Sequence, residues 1–416
     1  MRRSIAYPVV IAACALPRVA VLVHERSVAP LEKSDIIARV FLKYGTFGFV
    51  PHEPSAYTQP VYAWFLIAVY WVAGRHWWSL GTVQIVVAVA TALAVYEIGR
   101  RFLSRRAGLV AALVSTLQPY LIWHDVHGNR EILDQPLGVA MFGLTLLTYE
   151  RRSPRLAAAL GAVSGLAILS NTRLVLLPLA FGAFLVLKGR GSAAALAVPV
   201  AAAIVLAPWV VRNKVEVGCF AITTDARALW KANNLGTYGV LRKGGWIDEV
   251  PDISQRYGLP AKWMTPQEAG DLYPGKKIRV DECMQQGHYE HLVFQFWEKH
   301  PGAKAKLMVQ ATRMLWSPRL GAENTPGQSN ARKIVEPLYV APLYLLALVG
   351  LFFVPAQFRA LALIFAGYET LAAWVFAGTT RYRVPWDFVL ALLAAAAIER
   401  VPFARGPFRR PFSQKR

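Results

Sequence analysis

Three carboxylates and a scatter of arginines frame the chemistry open to this chain. The first polar stretch reads Glu32-Lys33-Ser34-Asp35 and runs on to Tyr44-Gly45. A carboxylate there can act as a general base if an acceptor comes within hydrogen-bond reach. Asp35 also reads simply as a residue at a helix start, satisfying free amides. A second cluster is His124-Asp125-Val126-His127-Gly128-Asn129-Arg130-Glu131. Its two histidines and Asp125 are types that ligate a divalent metal, although one short cluster falls short of a full site. Glu131 stands where an apolar run begins. A carboxylate at that depth must be paired or face a water-filled cavity, or serve as a helix N-terminal acid. Arg173, Arg212, Arg381 and Arg383 occupy comparable positions at the ends of apolar runs. The alternative for each is an arginine that snorkels to the interface.

The elements that would position these groups are membrane helices. The chain has 416 residues, 55% hydrophobic and only 17% charged. Its apolar residues fall in eleven runs, at 5–23, 60–74, 79–99, 107–123, 133–149, 155–170, 172–188, 193–211, 336–355, 358–377 and 385–399. Crossing a bilayer core takes roughly 20 apolar helical residues, and a spanning segment must satisfy its own backbone. An all-α polytopic membrane protein follows.

Charge sets the orientation. The net charge of +21 sits in clusters between the runs: Arg2-Arg3, Arg100 to Arg106, Arg151 to Arg155, Lys188 with Arg190, and the tail 401–416. That is the positive-inside pattern of cytoplasmic loops and not a nucleic-acid face. Eleven crossings would separate the two basic ends. The run at 60–74 is the weakest, with Pro60 at its start and Arg75-His76-Trp77-Trp78 after it, so 60–78 is expected to be interfacial or re-entrant. About ten spans remain, with both termini cytoplasmic. The expected layout is an N-terminal membrane module (1–211) with an outward loop at 24–78, an outward segment of mixed structure at 212–335, C-terminal membrane helices (336–400) and a basic tail that meets the lipid surface. Within 212–335, helices are expected at 281–299 and, as an amphipathic run, at 303–316. All eight histidines fall in outward elements or at their edges. Of the three cysteines, Cys219 and Cys283 share the outward segment and either pair there or remain free thiols. Arg18 interrupts the place where a signal peptide would be cut, so the first run is read as a retained helix.

Taken in order, these features resemble the GT-C superfamily of membrane glycosyltransferases. The nearest likeness is to the bacterial members of family 39, with the protein mannosyltransferases and the aminoarabinose transferases of lipid A. The likeness rests on the acidic first loop with Pro54-Ser55-Ala56-Tyr57 and Pro60-Val61-Tyr62, on Arg130-Glu131, on Pro208 to Asn213, and on Arg381-Tyr382-Arg383-Val384-Pro385.

The resemblance implies a GT-C-like bundle in the inner (plasma) membrane of a bacterium, with outward juxtamembrane helices. It implies a polyprenyl-phosphate-linked sugar as partner and transfer to an acceptor on the periplasmic side, with inversion. A leaving phosphate needs positioned positive charge rather than a general acid, and arginine supplies it through paired donors. Arg212, Arg381, Arg383, Arg173 and Arg130 are the candidates, with Tyr57 and His127 beside them. Asp35, or else Glu32, is expected as base, and Glu131 as an orienting acid. No cofactor is assigned, and a divalent metal is compatible. The competing reading is a transporter or flippase of the same lipid-linked sugars; it would be expected to show internal repeats, which this chain lacks.

Overall fold

The computed structural model describes residues 3–25, 33–189, 191–251, 263–272, 280–320 and 330–400. Glu32, the turn at Tyr273-Pro274-Gly275 and the tail 401–416 lie outside the described residues. Regular structure among them is helical throughout, and the nearest approach to a strand is one antiparallel bridge between Val50 and Glu53. The first half contains α1 (Arg3–Glu25), α2 (Lys33–Tyr44), α3 (Pro60–Ala73), α4 (Trp77–Phe102), α5 (Arg105–Thr116), α6 (Pro119–His124), α7 (Glu131–Arg151), α8 (Pro154–Ser170), α9 (Leu177–Leu187) and α10 (Ser192–Glu216). The polar segment contributes α11 (Ala226–Lys231), α12 (Thr237–Arg242), α13 (Pro266–Leu272), α14 (Glu282–Lys299) and α15 (Pro301–Leu315). The chain closes with α16 (Asn330–Gly350), α17 (Ala356–Val375), the short α18 (Thr380–Arg383) and α19 (Asp387–Arg400).

Six of these helices are long and apolar enough to cross a membrane: α1, α4, α7, α10, α16 and α17. The chain is therefore a multi-pass membrane protein. The other expected spans correspond to shorter helices. The run at 107–123 is broken in two: α5 stops at Thr116 and α6 starts with Pro119. Pro119 has no N–H to donate and its ring obstructs the preceding turn, so a helix ends before it. The Gln118 side chain then caps the new helix, accepting from the Leu121 amide at 2.8 Å. The segment 212–335, expected to be mixed, is helix and loop wherever it is described. Its two longest helices fall at the expected places.

Packing fixes the first helix against the bundle. Arg18 is buried to 1% exposure inside α1 and meets the Asp125 carboxylate at 2.8 Å. It also donates to the carbonyls of Cys14 and Thr116. A charge at that depth is tolerated only when paired and fully hydrogen-bonded, so α1 is stitched to the loop before α7. Deeper in the bundle, Phe142 of α7 meets Phe358, Phe365 and Phe388 edge-on at 5.1, 5.3 and 5.9 Å. Truncating such a ring to alanine typically costs about 3–5 kcal/mol. Where α4 crosses α5, a Cβ on Gly99 would stand 2.5 Å from the Gly108 Cα, so the crossing depends on both glycines.

The polar segment is tied to one end of this bundle. Cys219 and Cys283 form a disulfide that joins the exit of α10 to the start of α14. The buried Glu282 accepts from the Ala56 amide at 2.9 Å and from the Thr224 hydroxyl at 2.6 Å. Lys304 of α15 donates to the Trp374 carbonyl at the end of α17.

Candidate active site

Glu131 and Arg381 define the site. Arg381 donates Nε to Oε1 at 2.6 Å and Nη2 to Oε2 at 3.0 Å, a two-pronged pair between the start of α7 and α18. Such a pair fixes the guanidinium plane as well as its charge. Arg130 lies beside the same carboxylate, with Nε 3.6 Å from Oε1. Its Nη1 donates to Gln59 Oε1 at 3.0 Å, and Gln59 in turn donates to the Thr172 hydroxyl at 3.3 Å. Arg173 completes a row of three guanidiniums. It lies over the Tyr382 ring at 3.6 Å and donates Nε to Asn171 Oδ1 at 3.1 Å. Asn171 is itself held, with Ser170, by the buried Asp134 of α7.

Arg130, Arg173 and Arg381 line a polar cavity of about 420 Å³, together with Gln59, Asp225 and Asp248. A second, apolar cavity of about 310 Å³ adjoins it, walled by Leu176, Leu229, Leu371 and Val375. Thr172, Arg173, Thr223, Asp225 and Phe376 belong to both walls. An apolar trough therefore opens into an arginine-lined chamber at Arg173. Arg173 Nη1 is buried there with no hydrogen-bond partner. A buried donor left unpaired costs free energy that a bound acceptor would recover.

Asp225 was not foreseen from sequence. Its Oδ2 meets Lys33 Nζ at 2.8 Å, and its Oδ1 caps α11 at the Ala228 amide. Tyr57 hydrogen-bonds to it, and the Lys33 ammonium sits 4.4 Å over the Tyr57 ring. Burial, followed by the negative charge of Asp225, pushes the Tyr57 phenol well above its ordinary pKa, so it stays protonated.

Several expected site residues lie elsewhere. Asp35 is buried, and its two oxygens accept from Arg75 at 2.8 and 3.2 Å, from Arg39 at 3.1 Å and from the Tyr70 hydroxyl at 2.8 Å. It does not line the arginine chamber, although its neighbours Lys33 and Ser34 do. Arg212 holds the first loop, donating to the Ser55 and Phe47 carbonyls and pairing with Glu216. Arg383 is 1% exposed and turned toward Asp387 and the Leu315 and Ser317 carbonyls. His127 contacts the Trp123 carbonyl through Nδ1 at 2.7 Å, and Asp125 is taken by Arg18. The His-Asp-His cluster is thus spent on packing, and no group of three metal-ligating side chains converges among the described residues.

The bundle, with its apolar trough and acid–arginine chamber, has a GT-C-like fold, that of polytopic membrane glycosyltransferases, as the sequence led us to expect. Residues 52–211 match the family model described as dolichyl-phosphate-mannose-protein mannosyltransferase. The fold matches the oligosaccharyltransferase AglB from Archaeoglobus fulgidus, in complex with an inhibitory peptide and a dolichol-phosphate, with TM-score 0.54 and 16% identity over 95% of this chain and 50% of that one. The apo form of the Archaeoglobus fulgidus oligosaccharyltransferase matches with TM-score 0.53 and 14% identity over 94% and 50%. A looser superposition, at TM-score 0.43 and 15% identity, covers 95% of this chain and 77% of ArnT from Cupriavidus metallidurans bound to undecaprenyl phosphate. The chain spans about half the length of the oligosaccharyltransferase chains it matches. No curated protein matches it in sequence.

Proposed function

We propose that this protein is a membrane glycosyltransferase that moves a sugar from a polyprenyl-phosphate donor to an acceptor hydroxyl or phosphate on the non-cytoplasmic face. The observation that carries the reading is the junction at Arg173, where an apolar trough suited to a prenyl chain opens into a chamber of three arginines suited to its phosphate. The dolichol-phosphate in the matched archaeal structure and the description of the matched family model support the same class of donor.

In this reading Arg130, Arg173 and Arg381 bind the phosphate oxygens and stabilise the charge that develops as the sugar–phosphate bond breaks. Glu131 aims Arg381, and the Tyr382 ring supports Arg173. The acceptor oxygen attacks the anomeric carbon from the side opposite the leaving phosphate, which inverts that centre. Its proton passes to Asp225, the carboxylate at the junction. Asp35 anchors α2, so that Lys33 and Ser34 reach the chamber. Arg212 holds the first loop in place and takes no part in bond making.

Charge supports the choice of face. Arg151 and Arg152 lie at the far end of α7 from Glu131, and 21 helical residues separate the two ends by roughly 30 Å. Arg101 pairs with Glu150 at that same end. Basic loops there support a cytoplasmic assignment for it, and the Cys219–Cys283 disulfide at the chamber end supports an oxidising compartment. The test is purified protein in vesicles with a labelled polyprenyl-phosphate sugar. Release of the lipid phosphate coupled to acceptor glycosylation is expected. Movement of intact lipid-linked sugar without bond cleavage would favour a transporter instead.

A further inference from the structure

A second lateral groove, separate from the trough at Arg173, lies between α16, α17 and α19. Its volume is about 280 Å³, and Leu348, Leu351, Leu363 and Leu390 contribute its apolar wall. Leu348 and Leu363 belong to helices that are themselves long and apolar enough to cross a membrane. At one end stand Trp316 and Tyr344. The Trp316 indole is satisfied by the Thr370 hydroxyl at 3.0 Å. The Tyr344 hydroxyl is not: it is buried without a hydrogen-bond partner. The Arg383 guanidinium carbon lies 5.4 Å from the Tyr344 ring, and its Nη2 is likewise buried and unpartnered. Of the two, Tyr344 lines the groove, and an orphaned donor in an apolar wall is costly unless an acceptor visits it.

Charge says what kind of acceptor. Arg383 is already paired with Asp387 at 3.2 Å. Glu336, only 2% exposed and held by Gln118 at 2.6 Å, adds a second carboxylate within electrostatic reach of the same arginine. The pocket carries no surplus positive charge, so a phosphate has nothing to gain there. A neutral oxygen can accept from the Tyr344 hydroxyl.

We propose that this groove is a lipid site that takes one chain of a membrane lipid whose head is uncharged, with an ester or hydroxyl oxygen held by the Tyr344 hydroxyl. This site stands independently of the transfer reaction.

Two photoreactive probes in vesicles test it: a diazirine-tailed diacylglycerol and a diazirine-tailed phosphatidic acid, with cross-linked peptides read by mass spectrometry. The diacylglycerol is expected to label 344–351 and 362–366 several-fold more than the phosphatidic acid does. That excess should vanish when Ala366→Phe fills the groove, and should fall in Tyr344→Phe, which keeps the shape and removes the hydroxyl. Equal labelling by the two probes, preference for the phosphatidic acid, or labelling no stronger than at the exposed Leu196 and Ile204 of α10 would overturn the proposal.

Discussion

Glu131 and Arg381, 250 positions apart in the chain, are joined by two hydrogen bonds of 2.6 and 3.0 Å. The carboxylate is 3% exposed and the guanidinium 30% exposed, so one partner is sunk in the bundle while the other still reaches the chamber. Removing one member of a buried pair typically costs about 3–5 kcal/mol, because it strands the other charge. The half-open Arg381 should place Glu131→Gln near or below the lower end of that range. The double variant Glu131→Gln with Arg381→Gln should recover much of the melting temperature in detergent yet remain inactive. Recovery of both stability and transfer would limit the pair to a structural part.

The base assignment separates two aspartates. Asp225→Asn is expected to lower turnover about 10²–10⁴-fold, the usual contribution of a general base, while lipid-phosphate binding persists. Asp35→Asn should act through stability, since it unpairs Arg75 and Arg39 at the base of α2. Melting curves and single-turnover rates of the two variants distinguish these effects. An inactive but fully stable Asp35→Asn protein, with Asp225→Asn active, would reverse the assignment.

The disulfide reports on sidedness. Closing a loop with the 64-residue separation of Cys219 and Cys283 stabilises by roughly 2–4 kcal/mol. A membrane-impermeant reductant added to intact cells should therefore reduce this bond and lower the melting temperature. Protection in intact cells, with reduction only after lysis, would contradict the proposed orientation.

His124 supplies a pH dependence. Burial, the largest influence, lowers its pKa to about 4 from 6.5. The unfolded chain then binds more protons than the folded one between those values, so stability rises with pH across that window. It should be fully present above about pH 6.5 and be lost progressively as the pH falls toward 4. His124→Gln should flatten the acid limb of a melting-temperature-against-pH curve; an unchanged limb would remove His124 as its source.

The helices were legible because apolar runs of spanning length leave the backbone little alternative. The break at Pro119 was visible in principle, since proline at an internal position signals a stop, but the apolar residues on both sides masked it. The site was legible in part. Arg130, Glu131, Arg173 and Arg381 stand at run ends where charge is expensive, and the fold brings all four together. Arg212 and Arg383 stand at run ends too, and nothing local distinguishes an arginine that faces a chamber from one that caps carbonyls. Asp225 was missed because its place depends on the packing of the polar segment against Tyr57 and Lys33, contacts that span well over a hundred residues and leave no periodic trace.

The most direct test of the central claim is the affinity of the purified protein for polyprenyl phosphate, measured for Arg173→Ala and Arg381→Ala beside the exposed-site control Arg313→Ala. Binding should weaken at least tenfold in the first two, equivalent to about 1.4 kcal/mol or more, with turnover reduced about 10²–10³-fold, and should be unchanged in the control. Undiminished binding and turnover in folded Arg173→Ala protein would contradict the account.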